Sequence, residues 1–124
     1  MKTISFFSGA GGLDYGFDKN GFKILFSNDM NKIACQSYAL NYNHPIICDS
    51  FYNVIKSNIE TVDVIIGGPP CQGFSVQGKM DINDKRNNLI LDYFNFILTK
   101  QPKIFVCENV KALMTLKKWE PIKN

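Results

Sequence analysis

The chain holds one arginine, Arg86, one histidine, His44, and one tryptophan in 124 residues. Its four cysteines, Cys35, Cys48, Cys71 and Cys107, are separated by 13, 23 and 36 positions. No Cys-x-x-Cys pair exists, so neither a zinc centre nor a disulfide framework is expected, and no metal site is assigned. Cys48 and Cys107 stand in short apolar runs and are expected in the core. No apolar stretch approaches the roughly 18 residues of a membrane span, so no membrane partner is expected. At the N-terminus Ser8-Gly9-Ala10-Gly11-Gly12 breaks the first apolar run almost at once, unlike a secretory leader, and a cytoplasmic location is expected. Charge is also sparse. Fourteen basic against eleven acidic residues leave +3, with lysines scattered rather than striped. Lys111, Lys117, Lys118 and Lys123 thicken the tail, which reads as a solvated face. A chain of this charge is not expected to grip DNA tightly alone.

What is present is 45% hydrophobic, enough for one soluble domain with a modest core. Strand and helix patterns alternate. Ile4–Phe7, Phe22–Phe26, Pro45–Cys48, Val62–Ile66 and Ile104–Cys107 read as strands. Leu13 to Phe17 fits a short helix closed by Asn20-Gly21. Ile33, Ala34, Ser37, Tyr38 and Leu40 have helical spacing, Phe51–Ile59 reads as a short helix, and Leu89 to Leu98 as a strongly apolar one stopped before Pro102. Residues 73–83 have no period and read as a loop. Alternation of this kind predicts an α/β fold: a Rossmann-like, doubly wound parallel sheet of about five strands, in one domain over 1–124. Ile104-Phe105-Val106-Cys107 would form an uncharged, adhesive edge.

Several strand ends carry chemistry. Gly9, Gly11 and Gly12 lie between the first strand and first helix, where glycine permits a tight turn or close approach of a ligand. Asp14 occupies the third glycine position of the dinucleotide fingerprint and no Gly-Lys-Ser/Thr follows, so a phosphate ligand is not indicated. Asp29 and Asp49 end the second and third strands. Two such acids beside a glycine turn fit an adenosine-bearing ligand without a phosphate, although Asp29 or Asn31 equally suits a helix N-cap. Gly67-Gly68-Pro69-Pro70-Cys71-Gln72-Gly73-Phe74-Ser75 ends the fourth strand and puts a thiol at the edge where open α/β sheets hold ligands. Glu108-Asn109-Val110 ends the fifth strand, which the topology makes a neighbour of the fourth. A small apolar cysteine and a solvated glutamate are the plainer readings of these two residues.

These blocks, in this order, resemble the N-terminal part of the DNA (cytosine-5)-methyltransferases. Phe7-Ser8-Gly9-Ala10-Gly11-Gly12 resembles the first motif, Asn28-Asp29-Met30 the second, Pro70-Cys71-Gln72 the fourth, Asp84-Lys85-Arg86-Asn87-Asn88-Leu89 the fifth and Glu108-Asn109-Val110 the sixth. The resemblance implies an S-adenosyl-L-methionine fold and an S-adenosyl-L-methionine site at Phe7, Gly9, Ala10, Gly11, Gly12, Asp29, Met30, Asp49 and Ser50. Met30 stands where the family often has a large aromatic. It implies Cys71 as nucleophile and Glu108 as the acid on a flipped cytosine of DNA, with Pro70, Gln72, Ser75, Asn109 and Val110 around the base. The chemistry suits cytosine, whose C5 becomes reactive once a thiolate has added at C6. A bacterial restriction-modification role follows from the same likeness. Inactive S-adenosylmethionine binding and methylation of RNA cytosine stay as alternatives. The family's target-recognition region and C-terminal part are not among these residues, so the chain is expected to be either a truncated gene product, inactive alone, or half of a split enzyme completed by a complementary C-terminal polypeptide.

Overall fold

Two short strands, buried on both faces from Thr3 to Phe6 and from Val64 to Gly67, make the middle of the sheet. They are β1 (Lys2–Phe6) and β4 (Val64–Gly67), and their burial is what a central parallel strand requires. The computed structural model of the chain describes residues 1–70 and 88–108. Around β1 and β4 stand α1 (Gly12–Lys19), β2 (Lys23–Asp29), α2 (Lys32–Asn41), β3 (Ile46–Cys48), α3 (Phe51–Ile55), α4 (Asn88–Lys100) and β5 (Ile104–Cys107). The strand order is β3-β2-β1-β4-β5 and every pairing is parallel. The order therefore reverses between β1 and β4. Chain crossovers diverge there, leaving a crevice beyond Phe6 and Gly67.

Local chemistry sets the helix ends. Gly21 takes φ +85° after Asn20, as a C-terminal glycine should. The Asn31 side chain accepts from the Ala34 N–H at 2.9 Å and starts α2. The Ser50 hydroxyl does the same for Asn53 at 3.1 Å and starts α3. Beneath the crevice the core is aromatic. Phe6 meets Phe51 and Phe96 edge-on, with centroids 5.1 and 5.4 Å apart.

The elements match the sequence reading in kind and differ in extent. β4 takes in Gly67, β2 runs on to Asp29, and α3 ends at Ile55 rather than Ile59. The expected burial of Cys48 and Cys107 holds only in part, and Cys107 is half-buried. Cys48 is exposed, because β3 is an edge strand of three residues. Ile33 and Leu40 are 75% and 87% exposed, while Cys35 and Tyr38 of the same helix are buried. Among the described residues β5 bonds only to β4, and Ile104 and Phe105 are half-exposed. The loop expected over 73–83 and the tail lysines lie outside the described residues.

Candidate functional site

Phe7 leaves β1 with φ 54°, a left-handed conformation that a phenylalanine seldom adopts. Its ring stacks on Phe51 at 5.2 Å and 29°. This turn of the chain makes Phe7 a partition between two cavities. The first, about 410 Å³, is lined by Phe7, Ser8, Gly12, Asp14, Gly68 and Glu108 among others. The second, about 350 Å³, lies towards β2 and α3 and is lined by Phe7, Asp29, Met30, Ser50, Gly68 and Pro70 among others. Both meet at Phe7 and Gly68, the residues just beyond the strands where the order reverses.

The lining is acidic. Glu108 and Asp29 contribute carboxylates, Asp14 lies buried behind the wall, and no lysine or arginine is among these lining residues. Such a pair of cavities suits a ligand that carries positive charge, and disfavours a phosphate. Asp29 sits at the end of β2 as the sequence reading placed it, and Asn31, not Asp29, caps α2. That leaves the Asp29 carboxylate on the cavity wall, with one weak contact from the Asn31 N–H at 3.3 Å. Asp49 follows β3, and its backbone N–H donates to the Asp29 carbonyl at 3.1 Å. Its carboxylate accepts from the Asn53 amide at 2.9 Å and the Ser50 N–H at 2.7 Å, and these bonds hold it below the usual carboxylate range. Ser50 serves as helix cap and cavity wall at once.

On the other side of the switch point, the Glu108 N–H donates to the Gly67 carbonyl at 2.9 Å. A Cβ built on Gly68 would lie 3.4 Å from Glu108 Oε2, so glycine there lets the carboxylate close down over the start of the Gly-Pro-Pro segment. Pro69 is buried and Pro70 half-buried on the wall of the second cavity. Cys71, Gln72, Ser75, Asn109 and Val110 lie outside the described residues. Among the glycines, Gly12 faces the first cavity, whereas Gly11 is buried under Tyr42. A Cβ on Gly11 would fall 2.5 Å from Tyr42 Cε2, and its φ is +102°. Gly9 also has positive φ, at +58°, with open space around it, and Ala10 is exposed.

Three residues around this site were given no role of their own by sequence. Asn28 is buried and its amide donates to the carbonyls of Ile47 and Asp49, both at 2.9 Å, tying β2 to the end of β3. Asp14 is fully buried and accepts from three hydroxyls. Tyr42 donates to the Gly11 carbonyl at 2.6 Å. A buried polar side chain must find partners, so Asn28 at the end of an apolar strand carried a readable signal. Asp14 and Tyr42 were legible only once β1, β2 and α2 had been placed together.

The whole chain, residues 1–124, matches the family model described as C-5 cytosine-specific DNA methylase. The chain is 38% identical to the type II methyltransferase M.FnuDI of Fusobacterium nucleatum, aligning over 100% of itself and 36% of that protein. It is 41% identical to M.NgoPII of Neisseria gonorrhoeae over 92% of itself and 34% of the relative. It thus spans about a third of the length of these relatives. The fold superposes with TM-score 0.78 on a crystal structure from E. coli of a prophage-encoded protein assigned as a DNA modification methyltransferase, at 31% identity, over 100% of this chain and 36% of the other. It also resembles the Dnmt2 methyltransferase of S. pombe in fold, with TM-score 0.73 at 21% identity, over 99% of this chain and 40% of that one. The sheet is therefore the Rossmann-like sheet of the S-adenosylmethionine-dependent methyltransferases. With its acidic double cavity at the switch point and its match from first residue to last, the chain belongs to the C-5 cytosine-specific DNA methylase family.

Proposed function

We propose that this chain supplies the cofactor seat and the catalytic loop of a methyltransferase acting on C5 of cytosine in DNA, within a bacterial restriction-modification system of the cytoplasm. The observation that carries the reading is the acidic, two-chambered crevice divided by Phe7 and Gly68. S-adenosylmethionine is an adenosine joined to a cationic amino-acid arm, without phosphate, and the lining fits that description. Asp29, Met30 and Ser50 would hold the adenosine, with Asp49 beside them, and Ser8 and Gly12 would line the arm. Gly9, Ala10 and Gly11 would shape the turn. When bound, the cofactor supplies an electrophilic methyl group on sulfonium sulfur.

The chain's own residues would do the rest. Cys71 follows Gly68 by three positions, and Gly68 lies against Glu108. The Cys71 thiolate would add to C6 of an extruded cytosine, placing an electron pair at C5. Glu108, as the acid, would hydrogen-bond the ring N3 and exocyclic amine and steady the charge of that addition. Pro70, Gln72, Ser75, Asn109 and Val110 would border the base. Once C5 is methylated, its proton would pass to water, the C5–C6 double bond would re-form and the C6–S bond would break, returning the Cys71 thiolate. The family description names DNA, which favours this reading over the RNA-directed alternative. Because the relatives are about three times longer, we place target recognition in a further polypeptide part, joined to this chain or separate from it.

The test is a covalent trap. The chain, completed by the remaining two thirds of M.FnuDI, is incubated with S-adenosylmethionine and DNA containing 5-fluorocytosine at its target position. A denaturant-stable adduct should form, map to Cys71, and vanish in Cys71→Ser. Full methylation by the Cys71→Ser protein would overturn the assignment.

A further inference from the structure

We infer that Asp14 is a positioning residue for the cofactor seat: its buried carboxylate fixes the glycine turn through Tyr38 and Tyr42. This rests on reading the two cavities as that seat. Asp14 stands in the first turn of α1, three residues after Gly11, and is fully buried. One carboxylate oxygen accepts from the Ser5 hydroxyl of β1 at 2.6 Å. The other accepts from Ser27 of β2 at 2.7 Å and from the Tyr38 hydroxyl of α2 at 2.5 Å. One side chain thus joins four elements at the C-terminal edge of the sheet.

The network extends further. The Ser27 and Tyr38 hydroxyls also touch each other, and His44 Nε2 lies 2.5 Å from the Tyr38 oxygen, so the three hydroxyls, the carboxylate and the imidazole form one cluster. Burial, then Asp14, drives the Tyr38 phenol far above its ordinary value, so it stays a donor at any working pH. No buried oxygen of this network is left without a partner.

From Tyr38 the path runs on to the turn. The Tyr38 ring stacks on Tyr42, with centroids 4.3 Å apart at 24°. Tyr42 occupies the space a side chain on Gly11 would need and donates to the Gly11 carbonyl at 2.6 Å. Gly11 in turn donates its N–H to the Ser8 carbonyl at 3.1 Å, closing the loop that carries Ser8 and Gly12 to the first cavity. Gly11 also starts α1 without a side-chain cap, so the helix cannot hold the turn by that means. Burying a carboxylate costs stability unless it is fully satisfied, and an apolar residue would serve a merely structural core at least as well. A rigid hub under the ligand's turn accounts for the acid.

Asp14→Asn keeps the shape and removes one acceptor oxygen. Tyr42→Phe keeps the ring and removes the bond to Gly11. In the full chain we expect each to weaken S-adenosylmethionine binding, read by calorimetry, by about tenfold, the scale of one lost hydrogen bond to a charged group. Amide exchange at Gly11 and Gly12 should accelerate in both. The double variant should bind no worse than the weaker single, because both lie on one path. A folded Asp14→Asn protein with unchanged affinity and unchanged exchange would overturn the inference, whatever its melting temperature. Should Asp14→Asn fail to fold, Ser27→Ala and Tyr42→Phe carry the same readouts. If the unmodified chain binds no S-adenosylmethionine, the proposed function fails on its own, and the exchange rates still decide the role of Asp14.

Discussion

Side chains at this site earn their place by what they leave open as much as by what they touch. Phe7 sits at φ 54°, a conformation that costs a non-glycine residue about 1 kcal/mol or more, and the stacking on Phe51 holds it there. That strain is stored at the wall between the two cavities. Asp29 keeps its carboxylate on a cavity wall because Asn31 has taken over the helix cap. The cysteines separate in the same way. Burial, with the Cys48 side chain within hydrogen-bonding reach, pushes the Cys35 thiol up to about 12. Its sulfur also lies 3.4 Å from the Asp29 carbonyl oxygen. A raised thiol value means the nucleophilic thiolate is withheld until strongly alkaline pH. At pH 8.5, iodoacetamide followed by peptide mapping should therefore modify exposed Cys48 well before Cys35. The gap should narrow only as the pH approaches 12 or the chain unfolds. Equal labelling of the two in the folded chain at pH 8.5 would show that Cys35 is not buried as described.

α2 shows which part of an element can be read from a string of letters. Its helical period and its end before Pro45 were legible, since Asn41 to His44 offer turn chemistry. Its buried face was not. Ile33, Ala34, Ser37, Tyr38 and Leu40 share helical spacing, yet of these only Tyr38 is buried, with Cys35 beside it, and the Tyr38 hydroxyl is claimed by Asp14 of α1. That partner stands 24 residues away, where spacing cannot reveal it. β1 and β4 were easier, because a strand buried on both faces has no face to mistake. The same reasoning ranks substitutions along α2. Asn31→Ala should destabilise the chain by about 1 kcal/mol through the lost cap on Ala34. Leu40→Gln should change stability by less than about 0.5 kcal/mol, since it alters only an exposed side chain. Urea denaturation compares the two directly, and a larger loss from Leu40→Gln would mean that this helix buries a different face.

Across the whole molecule, the crevice exists because helices depart from β1 and β4 in divergent directions, and its depth depends on how closely α4 approaches β4. Gly67 sets that approach. A Cβ there would lie 2.9 Å from the Tyr93 hydroxyl and 3.0 Å from the Phe6 carbonyl oxygen. Tyr93 is buried, and its hydroxyl donates to the Val106 carbonyl at 3.0 Å, so one phenol pins α4 to β5 across the top of β4. Burial, with Cys107 nearby, holds that phenol far above its ordinary range, and it remains a donor at every working pH. Gly67→Ala must either move the Phe6 backbone, which is fixed in the sheet, or displace Tyr93. Displacing Tyr93 strains a core in which Phe6, Phe51 and Phe96 meet edge to face. Overpacking of this kind costs roughly 1–3 kcal/mol, and breaking the bond to Val106 adds about 1 kcal/mol more. The expected result is a lower urea midpoint for Gly67→Ala, accompanied by faster amide exchange in β5 than in β1. Tyr93→Phe should lose only the hydrogen-bond share and should relieve part of the crowding when combined with Gly67→Ala. A Gly67→Ala chain as stable as the original would mean that α4 stands farther from the sheet, and that the crevice holding Gly68 and Glu108 is wider than the packing of Gly67 allows.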